Sequence, residues 1–335
     1  LLLLINSVAH FLVDAVCIAT LFGPVAESGD IVAAVVLYNT LAFSTQCVAG
    51  LITDSVGRWA RLGCASMLAV VLGFLLPAQW LIKVLLIGLG NSLFHVCGGT
   101  LTLIESRGKA WKLGIFVAPG AIGVSIGTQW PQIGAFLAFA LLVCALEMGA
   151  MALHRKDSPQ KLKIKGAREG KLPFLAIVLL TAAVAVRAVG GSAVSFPWKQ
   201  GWELSLVMTA FVFLGKSMGG FVCDRIGSAK TALWSVIPAA LLIAFCSAYM
   251  LPSLVGQLLL NLTMPVTLFL LHKAMPESPG FAFGLAASAL WPGTIAGQLF
   301  ALTGKALWLC VILSFAFGLL AIIYSSRRLN HEKVY

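Results

Sequence analysis

Apolar runs of about twenty residues follow one another along almost the whole chain, with only short polar connections between most of them. A bilayer core about 30 Å thick takes roughly 20 apolar residues per helical crossing. Each crossing must also satisfy its own backbone hydrogen bonds, because lipid offers none. The runs predict helical spans near residues 3–26, 30–52, 62–78, 80–104, 113–130 and 132–153, then 173–197, 203–223, 230–250, 252–272, 281–303 and 306–325. The expected fold is therefore an all-α polytopic membrane protein of twelve transmembrane helices. Of the 335 residues 60% are hydrophobic and 10% charged, against about a quarter charged in soluble domains. A soluble core could not absorb that much apolar surface. The runs are continuous rather than alternating, which argues against a β-barrel. The first run carries His10 and Asp14 and lacks a small-residue cleavage site, so it reads as a span and not as a cleaved leader.

A net charge of +11 would suit a nucleic-acid partner if it lay on one soluble face. Here the Lys and Arg residues gather in alternate connections, among them Arg58, Arg61, Arg107, Lys109, Arg225, Lys230 and Lys273, and in the stretch "HRKDSPQKLKIKGAREGK". Lys83, Lys199 and Lys305 fall in the opposite set. That asymmetry is the positive-inside rule, and it predicts both termini in the cytoplasm. It points to a lipid surface, not nucleic acid. The eight cysteines lie within or at the ends of spans without CxxC spacing, so they read as packing residues, neither disulfides nor zinc ligands.

The polar stretch at mid-chain divides the sequence into an expected bundle at 1–153, a basic cytoplasmic linker at 154–172, and a second bundle with a short cytoplasmic tail at 173–335. The two sides are copies. "GLITDSVGRWAR" recurs as "GGFVCDRIGSAK", with Asp54 and Asp224 separated by 170 positions (224 − 54) and Gly57 and Gly227 by the same number. Asn91 and Asn261 keep that offset, while Pro24 and Pro197, and Pro119 and Pro292, are 173 apart (197 − 24, 292 − 119). Six spans repeated in the same order give a parallel repeat, an arrangement used by carriers that alternate access around a site near the membrane midplane.

Gly50, Asp54, Gly57, Arg58 and Arg61 resemble the G-x-x-x-D-x-x-G-R-x-x-R/K signature of the major facilitator superfamily. Gly220, Asp224, Arg225, Gly227 and Lys230 resemble its second copy. More narrowly, "AHFLVDAVCIATLFGP", "GLGNSLFHVCGG" and "FVAPGAIGVSIG" look like the first, fourth and fifth helices of the fosmidomycin-resistance-like branch, with Val96 where that branch has proline. The resemblance implies two pseudo-symmetric six-helix bundles and a conformational latch at the two signatures. It also implies a central cavity lined by the first, fourth and seventh helices.

Ionisable groups inside spans are costly and mark function. His10 and Asp14, spaced i, i+4, share one face of the first helix. Arg187 lies 173 positions beyond Asp14 (187 − 14), so the repeat expects the two at matched depth as a pair or as alternating proton and solute contacts. His95 reads as a proton relay or solute contact. Lys216 stands where the first half has Gln46, and Glu147 reads as a peripheral structural charge. Asn91, Asn261 and Trp291 complete the candidate set. "GVSIG" and "GTIAG" are small-xxx-small patterns that allow close helix contact.

The expected function is a proton-coupled carrier of a small organic solute, anionic or zwitterionic because Arg187 and Lys216 would gain a charge-assisted partner. The branch resemblance leans toward export by proton antiport, with an uptake symporter for a carboxylate or sugar as the alternative. No HExxH, phosphate loop or second carboxylate at metal spacing is present, so no enzyme, cofactor or metal is expected. The expected setting is a monomer in the plasma membrane, the inner membrane if the source is bacterial.

Overall fold

The long apolar runs fold as helices and break where proline or glycine interrupts the hydrogen-bond ladder. The computed structural model describes residues 1–154 and 172–331, and the expected linker between the halves lies outside the described residues apart from its two ends. The helices are α1 (Leu2–Thr20), α2 (Ala26–Ser28), α3 (Ile31–Asn39), α4 (Gln46–Val56), α5 (Trp59–Leu75), α6 (Trp80–Ser106), α7 (Trp111–Val117), α8 (Pro119–Gln129) and α9 (Gly134–His154). They continue with α10 (Leu172–Ser192), α11 (Gly201–Ile226), α12 (Ser228–Cys246), α13 (Met250–Asn261), α14 (Thr263–Ala274), α15 (Pro279–Ser288), α16 (Leu290–Leu299) and α17 (Gly304–His331).

Three breaks share one cause. Proline has no N–H, and its ring crowds the carbonyl four residues earlier. Pro119, Pro265 and Pro292 each follow a break by one to three residues, at Ala118, Leu262 and Ala289. Asp30 starts α3 as an N-cap, its side chain accepting the N–H groups of Val32 at 3.0 Å and Ala33 at 3.2 Å. At Thr45 the hydroxyl bonds back to the Leu41 carbonyl at 2.6 Å, and the chain bends by 42° between Ile31–Ser44 and Gln46–Val56.

Among the described residues nine helical segments are long and apolar enough to cross a membrane, and the bent pair Ile31–Ser44 and Gln46–Val56 brings the number up to ten. The remaining two expected spans differ from the sequence reading. Residues 62–78 fold as the 17-residue α5, one turn nearer the N-terminus. Residues 281–303 are split into α15 and α16, ten residues each, because Pro292 disrupts a continuous ladder there.

Two compact units emerge. Of the described residues, the first draws on Leu1–Glu105, 116–154 and Ser278–Gly284, the second on Ser106–Ile115, 172–277 and 285–331. In the first, α1 is packed by α8, α9 and α5 and buried on nearly all sides. Gly123 and Gly127 on α8 lie so close to the Phe11 and Ala15 carbonyls of α1 that a Cβ at either would collide. In the second, α10 is packed by α17 and α16, and Gly293 and Gly297 meet the Ala185 and Val189 carbonyls in the same way. These are the two small-xxx-small patterns, each seating a helix on the first long helix of its own unit.

Candidate functional site

In the first unit α1 and α6 bring His10, Asp14, Asn91 and His95 together, all at most 9% exposed. Positions 10 and 14 are one helical turn apart, as are 91 and 95, so each helix presents two polar side chains on one face. Asn91 Nδ2 donates to Asp14 Oδ1 at 2.9 Å. His10 and His95 meet edge to face, their Nε2 atoms 2.8 Å apart. Asp14 Oδ2 stands 3.4 Å from His10 Nε2, and Asp14 Oδ1 stands 3.7 Å from His95 Nε2. Both outer ring nitrogens reach backbone carbonyls: His10 Nδ1 reaches Phe116 at 2.6 Å and His95 Nδ1 reaches Asn91 at 2.9 Å. Phe94 and Phe116 close the apolar wall around the His10 ring.

Sequence reasoning singled out these four residues one by one. Tyr38, whose hydroxyl meets Asn91 Nδ2 at 3.1 Å, and Gly120 it missed. A Cβ built at Gly120 would collide with Asp14 Oδ2 and His10 Nε2, so the absent side chain is what admits the cluster. The "FVAPGAIGVSIG" stretch was matched to a helix of the branch, but nothing in it names what Gly120 faces.

The sequence reading expected no metal centre. The fold nevertheless gathers donor atoms of His10, Asp14 and His95 within 4.8 Å of one another, a donor set that suits a divalent transition metal. Two imidazole nitrogens bound tetrahedrally to one first-row ion at about 2.0–2.1 Å would stand roughly 3.3 Å apart. The observed 2.8 Å is hydrogen-bond spacing instead.

In the second unit Arg187, half-buried on α10, donates from Nη1 to the Thr263 hydroxyl at the start of α14. Thr263 was not in the sequence-derived set. Its position just after the break at Leu262 and two residues before Pro265 was the available signal. Asn261 turns to its own helix, donating to the Gln257 carbonyl at 2.8 Å. Lys216 and Trp291 are half-buried, and Glu147 is exposed on α9. Asp14 thus finds its described partners in the first unit and Arg187 finds Thr263 in the second.

The two signature copies are built alike. Asp54 Oδ1 and Oδ2 accept the backbone N–H groups of Gly280 and Phe281, each at 2.9 Å, in the first turn of α15. Asp224 accepts those of Ala110 at 2.7 Å and Trp111 at 3.0 Å, where α7 begins. The first N–H groups of a helix lack intrahelical partners and carry its positive dipole end, so a carboxylate satisfies both needs. Gly50 and Gly220 make the approach possible, because a Cβ on either would strike the backbone of residues 280–281 or 110–111. Gly57 (φ 63°) and Gly227 (φ 87°) turn the chain out of α4 and α11 in a conformation that L side chains resist. Arg58 precedes α5, Arg61 lies in the first turn of α5 and Arg225 in the last turn of α11, and none shows a described contact to either carboxylate.

No protein-family model and no curated protein matches the sequence. The backbone, by contrast, resembles solved transporters. The E. coli fucose:proton symporter FucP, in a substituted form, superposes with a TM-score of 0.67 at 12% identity, over 97% of this chain and 98% of that one. A structure described as a major facilitator superfamily transporter, FucP, in the outward conformation gives 0.64 at 12% identity, over 96% and 98%. At that identity the likeness speaks for architecture: this chain has the fold of a major facilitator superfamily transporter.

Proposed function

We propose that the protein is a proton-coupled secondary transporter that moves a small organic anion or zwitterion by alternating access. The observation that carries this reading is the buried His10–Asp14–His95 cluster, set in a transporter fold. Histidine is the side chain whose ordinary titration range spans neutral pH, and ionisable groups within membrane spans are retained for proton or substrate handling. Arg187 supplies the case for an anionic group. It is a permanent cation whose described partner is a neutral hydroxyl, so a carboxylate on the solute would add a charge-assisted bond. The capped α15 and α7 act in this reading as latches, each released when its carboxylate lets go of the helix end.

Export in exchange for protons follows from the likeness of the sequence to the fosmidomycin-resistance-like branch. Uptake by symport is the second reading, favoured by the fold neighbour, which is a fucose:proton symporter. The excess of Lys and Arg in alternate connections supports a plasma-membrane protein with both termini cytoplasmic.

Proteoliposomes with an imposed pH gradient, screened with organic anions, zwitterions, sugars and lipophilic cations, test the proposal. Gradient-driven movement of an anion or zwitterion, strongly reduced in Arg187→Gln, is expected. Movement of lipophilic cations alone, or flux indifferent to the gradient, would overturn it.

A further inference from the structure

We infer that His10 and His95 hold one proton between their Nε2 atoms, so that the pair carries a single positive charge, with Asp14 as its ionised counter-charge. The argument is a count of donors. A carbonyl oxygen only accepts, so the bonds to Phe116 and Asn91 require a proton on Nδ1 of both rings. Two neutral rings in that tautomer would point bare Nε2 lone pairs at each other across 2.8 Å. Two imidazolium rings would place two hydrogens in the same gap. One proton turns the contact into an N–H···N hydrogen bond of ordinary length. It also leaves a buried positive charge that needs a neighbouring negative one.

Asp14 is placed for that role. Its oxygens lie 3.4 and 3.7 Å from the two Nε2 atoms, near enough for charge attraction but too far to take the shared proton directly. Asn91 Nδ2 holds Asp14 Oδ1 in position, and Gly120 leaves room beside Oδ2. Among the described contacts, Asn91 Nδ2 also reaches the titratable groups of Cys17 at 3.8 Å and Tyr38 at 3.1 Å. Helix α8, packed against this face of α1, carries no titratable residue.

The shared position differs from a proton on Asp14 alone, because release needs only a change at either ring. Moving the Phe116 carbonyl, in the last turn of α7 two residues before the break at Ala118, would re-aim His10 and open the pair. The proton's part in transport rests on the carrier reading above, whereas the count of protons does not.

Solution NMR of histidine-15N-labelled protein in lipid nanodiscs tests the count, with His95→Gln identifying the two rings among the five histidines of the chain. Expected are protonated Nδ1 on both rings and one proton scalar-coupled to both Nε2 atoms, lost in His95→Gln. Two bare Nε2 atoms, two Nε2–H groups, or stoichiometric metal by elemental analysis of the same sample would each overturn the inference. Proteoliposome flux separates it from the carrier reading. If the shared proton is seen but solute movement ignores the pH gradient, the inference stands and the coupling reading falls. If movement follows the gradient without a shared proton, the reverse holds.

Discussion

Asp54 and Gly280, 226 residues apart, meet as a carboxylate and a helix N-terminus: Oδ1 accepts the Gly280 N–H at 2.9 Å. Shifting both partners by the sequence repeat of 170 reproduces the contact. Asp54 becomes Asp224, and Gly280 becomes Ala110 (280 − 170), whose N–H reaches Asp224 at 2.7 Å. Gly50 against Gly280 becomes Gly220 against Ala110 in the same way. Both carboxylates thus cap a helix start at positions related by the same 170-residue offset.

Removing either cap exposes two backbone N–H groups. Asp54→Ala and Asp224→Ala should each cost about 1–2 kcal/mol. Hydrogen exchange read by mass spectrometry should show faster exchange at Gly280 and Phe281 in the first variant, and at Ala110 and Trp111 in the second. The pairs share no partner, so the double variant should be additive. Unchanged exchange at all four amides would refute the capping roles.

Gly120→Ala places a methyl group against Asp14 Oδ2 and His10 Nε2. Overpacking of this kind costs about 1–3 kcal/mol, and here it would also disturb the histidine pair. Lower thermal stability together with loss of gradient-driven flux is expected. Gly318→Ala is the control: a Cβ there meets nothing within 4 Å, so stability should hold or rise by up to about 1 kcal/mol.

Arg187→Gln should reduce anion transport by about 10- to 100-fold, the equivalent of losing one charged hydrogen bond of about 1.5–3 kcal/mol. Arg187→Lys keeps the charge without the planar fork and should fall between the two. Thr263→Val, which removes only the neutral partner, should leave anion flux within about threefold of normal on the same scale. Initial-rate assays in proteoliposomes would order the three.

Lys83 was read from sequence as a charge in an outer connection. It is 7% exposed, and its Nζ donates to the carbonyls of Phe74 at 3.1 Å and Leu76 at 2.6 Å at the end of α5. A cation at a helix C-terminus satisfies orphan carbonyls and complements the dipole. Lys83→Met should lower the melting midpoint in detergent, at a cost of about 1–2 kcal/mol. A midpoint equal to that of the unaltered protein would contradict this role.

Much of the candidate site was legible because its cues are local. His10 and Asp14 share a face by helical spacing, and each signature puts a glycine four residues before its aspartate within one helix. The Nε2–Nε2 contact was not legible, since it joins residues 85 apart and depends on how α6 lies beside α1. Thr263 escaped for a similar reason. Nothing near it in sequence names Arg187, 76 residues away, and the sequence-matched Asn261 bonds to its own helix instead.

The chain's own order of residues determined that it would be helical and that its signature motif recurs 170 positions on. Those outcomes depend on hydropathy, backbone chemistry and spacing over a few turns, which neighbouring residues settle among themselves. Which carboxylate caps which helix, which carbonyl each histidine finds, and that Lys83 is a buried cap were decided only in the tertiary structure. Such pairings form between segments tens to hundreds of residues apart, and ångström-scale packing of whole helices sets whether two polar atoms arrive within bonding distance.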